Sequence, residues 1–90
     1  MTVEQIKTIL KRELIERMEL VMEEDELKDD TLLFGYDENG EGLGLDSIDV
    51  LELIVILKKN FHIEVEAEEN REIFENINTL TDFVMNHMEN

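Results

Sequence analysis

All four glycines of this 90-residue chain lie within ten residues, at positions 35, 40, 42 and 44, and the chain contains no proline. Glycine weakens helices and strands because its backbone loses the most conformational freedom on folding. Residues 23 to 45 are therefore predicted to form one long loop, held in place by Leu32, Leu33, Phe34 and Tyr36. A loop of this length is uncommon in a small domain unless it has a function.

Apolar residues recur at steps of three and four on both sides of this loop, which is typical of amphipathic helices. A first helix is predicted from Val3 to Met22, starting with a capping box made by Thr2 and Gln5. A second, strongly apolar helix is predicted from Ile48 to Phe61, with Asp46 as its N-cap.

The remaining third of the chain predicts two more elements. After an extended piece at residues 63 to 65, the stretch from Glu68 to Glu75 indicates a short helix with Ile73 and Phe74 turned inward. Thr79 and Asp82 are predicted to cap a last helix. The sequence thus predicts an all-α fold, a small four-helix bundle with three main helices, one short helix and a long loop between helices one and two. We expect residues 1–90 to form a single domain.

The second helix carries more apolar surface than one core contact needs. On a helical wheel, Ile48, Leu51 and Val55 form a stripe separate from the residues that point to the core. This stripe could contact partner proteins, or it could be buried under the long loop. The core residues are expected to be Val50, Leu53, Ile54, Leu57 and Phe61.

The charge of the chain restricts its partners. Twenty-four acidic and eight basic residues give a formal net charge of −16, which repels nucleic acid and anionic lipid and attracts basic partners. The start of the chain has no secretory pattern, and the longest apolar run, residues 53 to 57, is too short to span a bilayer. We therefore expect a cytoplasmic monomer that binds no nucleic acid and does not insert into membranes.

Ser47 is the strongest candidate for a chemical site. It follows Asp46 at the predicted start of the second helix, where free backbone N–H groups and the positive end of the helix dipole would favour a phosphate ester. Asp46 would orient the turn and support a modifying enzyme. The simpler interpretation is an ordinary Asp-Ser helix start.

Other candidate sites are weaker. The residues from Asp37 to Gly42 imitate the start of an EF-hand loop, but Ile48 occupies the position of the closing carboxylate. The two histidines, His62 and His87, have no second histidine at ligand spacing, and a hydrolase triad is rejected because Ser47 lacks a nucleophile elbow. The acidic residues 23 to 30 are expected to be a solvated loop, with weak divalent-cation binding as the alternative. No metal ligand and no catalytic residue is predicted.

The run Leu45-Asp46-Ser47-Ile48, followed by Glu52-Leu53 and an aliphatic helix ending at Phe61, resembles the attachment motif of acyl carrier proteins. The resemblance implies that Ser47 receives 4′-phosphopantetheine from coenzyme A, and that the thiol of this arm holds an acyl group as a thioester. It also implies that Asp46 and Glu52 belong to the surface that partners contact. A chain without cysteine can present such a thioester only by borrowing a thiol.

The implied function is a carrier and not an enzyme. The implied partners are a phosphopantetheinyl transferase and acyl-transferring and condensing enzymes with basic docking surfaces, which we expect to contact Ile48, Leu51, Glu52, Val55 and Lys59. Lys58 and Lys59, and the longer stretch from residue 70 to 77, depart from fatty-acid members. They favour a specialised lipid or polyketide pathway over general fatty-acid synthesis. The alternative is an unmodified acidic helical adaptor for a basic protein.

Overall fold

The computed structural model describes residues 1–66 and 71–88 and has an all-helical architecture. Its three helices are α1 (Val3–Arg17), α2 (Asp49–Phe61) and α3 (Ile77–His87). Two 3₁₀ turns, Glu24–Glu26 and Arg71–Phe74, precede α2 and α3 respectively. The described part of the chain contains no strand beyond one isolated bridge between Phe34 and Leu45, which confirms the predicted all-α fold class.

Helix α1 begins as predicted and ends earlier. The Thr2 hydroxyl accepts a hydrogen bond from the Gln5 N–H, and the Gln5 side chain accepts one from the Thr2 N–H. The predicted end at Met22 is wrong, because Glu19 adopts a positive φ of 52° that turns the chain out of the helix. Three fully buried residues face the core, namely Ile6, Leu10 and Leu14.

The acidic residues of the segment after α1 are exposed or partly exposed, as expected for a solvated loop, but the segment is also attached to the rest of the molecule. Leu27 is fully buried, and the Asp29 carboxylate forms ion pairs with Lys7 and Lys11. Further along, Leu33 is also fully buried, and its N–H donates to the Glu75 carbonyl. The predicted anchor Tyr36 is instead exposed.

Helix α2 packs its apolar face into the core through residues that follow the helical period. Its C-cap, His62, adopts a left-handed conformation, and its N–H donates to the Leu57 and Lys58 carbonyls. Val50 and Ile54, expected in the core, lie partly buried at its edge. The buried residues of α2 are Leu53, Ile56, Leu57 and Phe61.

Helix α3 begins two residues before the predicted cap. The Asn76 side chain accepts a hydrogen bond from the Thr79 N–H, and the Thr79 hydroxyl accepts one from the Asn76 N–H. Thr79 is therefore a residue of the first turn, and the predicted pairing with Asp82 is wrong. α3 packs on α1 and on the second 3₁₀ turn, whose Phe74 is buried as expected. The beginning of the predicted helix at 68–75 lies outside the described residues.

No helix within residues 1–66 and 71–88 has the length and apolar character required to cross a lipid bilayer.

Candidate functional site

Ser47 lies in the turn that joins the glycine-containing loop to α2, and it is exposed to solvent. It is also the only serine in the sequence. Because Ser47 is exposed next to the start of α2, a partner enzyme can approach it without unfolding any part of the molecule.

Two aspartates fix this turn by exchanging hydrogen bonds. Oδ1 of Asp46 accepts from the N–H groups of Ile48 and Asp49, at 3.0 and 3.3 Å. Oδ2 of Asp49 accepts from the Asp46 N–H at 2.9 Å. The helix itself starts at Asp49, so Asp46 caps the turn that precedes α2. The sequence predicts free backbone N–H groups beside Ser47. This is wrong for the N–H groups of Ile48 and Asp49, because both donate to the Asp46 carboxylate.

Glycines let the preceding loop fold back closely on itself. A side chain at Gly42 would collide with the Gly35 carbonyl oxygen, and one at Gly44 would collide with the Tyr36 ring. Both positions also have positive φ angles. The leucine that follows each of these glycines is hydrogen-bonded to the earlier part of the loop. The Leu43 N–H donates to the Leu32 carbonyl, and the Leu45 N–H donates to the Leu33 carbonyl. This folding brings the loop's apolar side chains next to Ser47.

A cleft of about 630 Å³ lies beside Ser47. Three parts of the chain line it. The start of α2 contributes Ser47, Val50 and Leu51, and the loop contributes Leu32, Phe34 and Leu45. The second 3₁₀ turn and the residue after it contribute Arg71, Phe74 and Glu75. Among the described residues, the lining of the cleft is thus mostly apolar, with one hydroxyl and two charged side chains, a composition typical of small-molecule binding sites.

The second apolar stripe of α2 is exposed. Ile48, Leu51 and Val55 retain 72%, 61% and 42% of their accessible surface. The alternative that the long loop buries them is wrong. This stripe continues from Ser47 along the helix, so a partner lying on it would also reach the serine.

The charged residues expected beside this stripe have different surroundings. An oxygen of Glu52 lies 3.3 Å from Nη1 of Arg17 on α1, so Glu52 already has a cationic partner within the molecule. Lys59 is exposed, and the neighbouring Lys58 lies 3.6 Å from the Glu64 carboxylate.

A small polar network joins α1 to α2 behind Glu52. Oε1 of Glu13 accepts hydrogen bonds from the Asn60 amide at 3.2 Å and from Nε of Arg17 at 3.4 Å. The bond from Asn60, followed by that from Arg17, lowers the pKa of the Glu13 carboxyl below its usual value. Arg17 thus forms ion pairs with both Glu13 on α1 and Glu52 on α2.

The two histidines and the acidic residues 23 to 30 do not line the cleft beside Ser47. His62 caps α2, and the His87 ring lies against Phe83 on α3. Among residues 1–66 and 71–88, no three histidine or acidic side chains come close enough together to hold a metal ion. Two carboxylates of the acidic segment, those of Asp29 and Glu24, form ion pairs with residues of α1.

Sequence reasoning missed two features of the site. The cleft residues Arg71 and Glu75 lie more than 20 positions after Ser47, and only the folded chain brings them next to it. The second feature is that Ser47 is the only serine, which a count of residue types in the sequence would have shown without a structure.

Residues 4–84 match the model of a protein family described as a phosphopantetheine attachment site. A comparison with curated proteins finds no match.

Proposed function

The chain belongs to the family that carries the phosphopantetheine attachment site, and from this premise we propose that it is an acyl carrier protein modified on Ser47. Membership gives it the general role of a phosphopantetheine carrier, and we propose that it has no catalysis of its own. The proposal adds the attachment residue, the acyl cargo and the surface that partners contact. It treats residues 1–90 as one carrier domain.

The observation that carries the proposal is the position of Ser47. The only serine of the chain is exposed at the start of α2, next to a cleft and at one end of an exposed apolar stripe. An attachment residue needs all three features, because it must be modified by one enzyme, keep its arm near the domain and be presented to others.

The residues present at this site fit the prosthetic group. The Ser47 hydroxyl can form the phosphoester bond, and the apolar cleft beside it can take the arm. When bound, the group supplies a terminal thiol that holds an acyl chain as a thioester. The bonds between Asp46 and Asp49 keep the Ser47 backbone in one conformation, so the point of attachment stays fixed while the arm moves.

We assign partner contact to the exposed stripe of Ile48, Leu51 and Val55. Apolar residues at the centre of an interface supply affinity, and charges at its rim act on association rate and specificity. Glu52 and Lys59 would be such rim charges. Basic docking surfaces of acyl-transferring and condensing enzymes would meet Glu52 in competition with Arg17.

The pathway we favour is a specialised lipid or polyketide route in the cytoplasm. Its support is the pair Lys58 and Lys59 at the end of α2. A docking surface made of arginine and lysine alone is repelled there, and a surface with a matching acid is attracted. Intact mass of the protein from its natural host would reveal the arm and its cargo together.

The test of the attachment residue is the intact mass of the apo protein after incubation with coenzyme A and a promiscuous phosphopantetheinyl transferase. We expect the wild type to gain one phosphopantetheinyl group and Ser47→Ala to gain none. Thr8→Ala is the matched control, because it removes an exposed hydroxyl from α1 and should be modified normally.

Two results would contradict the proposal. Modification of Ser47→Ala would show that another residue carries the arm. A wild type that folds and gains no mass would favour the unmodified acidic adaptor.

A further inference from the structure

Of the residues within 1–66 and 71–88 that line the cleft beside Ser47, Arg71 is the one with a cationic side chain. Arg71 is the first residue of the 3₁₀ turn Arg71–Phe74, whose other end is attached to the rest of the fold. Phe74 is buried in the core, and the carbonyl of the next residue, Glu75, accepts a hydrogen bond from the Leu33 N–H at 2.9 Å. The turn that bears Arg71 is therefore attached to the loop that forms another part of the cleft.

Arg71 also differs from the other two arginines of the chain. Arg12 is paired with Glu24, and Arg17 with Glu13 and Glu52. The Arg71 side chain is exposed, and no carboxylate of residues 1–66 and 71–88 forms an ion pair with it. Its guanidinium is thus available to an anion in the cleft.

A phosphodiester on Ser47 would bring an anion to this cleft. It would add a negative charge to a chain whose formal charge is already −16, and it would lie between the acidic residues Asp46 and Asp49. A guanidinium opposes this repulsion better than an ammonium, because its planar N–H donors can bind two phosphate oxygens together.

We propose that Arg71 binds the phosphodiester that joins the arm to Ser47 and thereby holds the arm along the cleft. This inference rests on the proposed function, since it requires an arm on Ser47. Arg71 is a positioning residue, and its role is to set the direction in which the arm leaves the helix. Without it, the arm would extend into solvent more of the time.

The experiment compares apo and holo protein by NMR, with no enzyme activity as a readout. The Nε–H signal of Arg71 is assigned as the one lost in Arg71→Lys, and we expect it to shift when the arm is attached. The ³¹P signal of holo Arg71→Ala should be displaced from the wild-type position at low salt. The position of this ³¹P signal should also change less with NaCl concentration in Arg71→Ala than in the wild type, because the variant lacks the ionic contact that salt screens. The ³¹P signal of holo Arg71→Lys should lie between those of the wild type and Arg71→Ala.

Lys28→Ala is the matched control. Lys28 is exposed and does not line the cleft, so this variant removes the same charge elsewhere and should leave the ³¹P signal unchanged. The inference is overturned if the Arg71 signal is the same in apo and holo protein, or if Arg71→Ala and wild type have the same ³¹P signal. It is also overturned if Lys28→Ala moves that signal equally. Failure of the wild type to accept any arm would instead refute the proposed function.

Discussion

At the scale of single residues, Asp29 joins three parts of the molecule. Its Oδ2 lies 2.9 Å from Nζ of Lys7, and its Oδ1 lies 2.7 Å from Nζ of Lys11, both on α1. Its backbone carbonyl accepts from the Asn78 N–H of α3 at 3.0 Å. The bonds from Lys11 and Lys7 lower the pKa of the Asp29 carboxyl, and the same contact raises the pKa of Lys7.

This arrangement predicts how stability depends on pH. A carboxyl whose pKa is lower in the folded state stabilises the fold above its unfolded pKa, which is about 3.9 for Asp. That contribution is lost as the pH falls through the folded pKa. The contribution of Lys7 to stability depends on pH in the opposite direction. Because the pKa of Lys7 is raised in the folded state, its contribution is present up to about pH 10 and is lost above that pH.

Asp29→Asn tests this at a partly exposed site, where screening by solvent limits the loss to about 1 kcal/mol near neutral pH. The amide keeps the size of the side chain, and the bond from Asn78 to the backbone carbonyl should remain. We expect the difference in unfolding free energy from wild type to be constant between about pH 5 and 9 and to shrink below about pH 4. Urea unfolding across this pH range measures it. A difference that stays constant down to pH 3 would contradict the assignment.

Residue-level features were predictable where both partners are close in sequence. The capping box of Thr2 and Gln5 follows from a spacing of three. The box at α3 was assigned to the wrong residue, because Asn76 and Thr79 both have capping side chains and spacing alone does not tell the cap from the first turn. The contact between Asp29 and Lys7 spans 22 positions and depends on the packed fold.

At the scale of elements, α2 has two apolar faces with different surroundings. Leu57 is fully buried in the core, whereas Val55 keeps 42% of its surface exposed. Replacing either residue by alanine introduces a better helix former, and the gain is larger for the β-branched Val55 than for Leu57. A loss of stability in Leu57→Ala therefore reports lost packing and not weaker helix formation.

Leu57→Ala should lower the free energy of unfolding by about 2 to 5 kcal/mol, because it removes buried methyl groups and leaves a cavity. Val55→Ala should change it by less than about 1 kcal/mol, since little buried surface is lost. Val55→Asp should stay folded and bind acyl-transferring enzymes more weakly. Chemical denaturation and a binding titration measure these effects. Global unfolding of Val55→Asp would mean that the stripe supports the fold.

The faces of α2 could be predicted because helical periodicity alone separates them, with Ile56 as the buried residue that the wheel missed. The end of α1 could not. Met18 and Val21 continue the apolar period of α1, but Glu19 takes a left-handed conformation without being a glycine. Val21 is then fully exposed, an outcome that depends on where the following segment packs.

At the scale of the whole molecule, acidic residues outnumber basic ones by 24 to 8 in a structure with a radius of gyration of 12.3 Å. Two like charges about 15 Å apart in water repel by only about 0.3 kcal/mol, but many such pairs act together. The partners of the ion pairs described above are partly or fully exposed, and surface pairs of this kind contribute about 0 to 1 kcal/mol each. Repulsion should therefore outweigh attraction in the response to salt.

Charge over the whole surface thus predicts that the melting temperature rises clearly from low salt to about 0.15 M NaCl, where the screening length falls to about 8 Å. Glu38→Lys is the matched variant, because Glu38 is exposed in the loop and the change reduces the net negative charge by two. Its melting temperature should exceed that of the wild type at low salt, and the gap should narrow as salt is added. Thermal unfolding followed by circular dichroism measures both. General repulsion does not limit the stability of this chain if the melting temperature of the wild type does not change with salt. The same conclusion follows if the difference in melting temperature between Glu38→Lys and the wild type stays constant as salt is added.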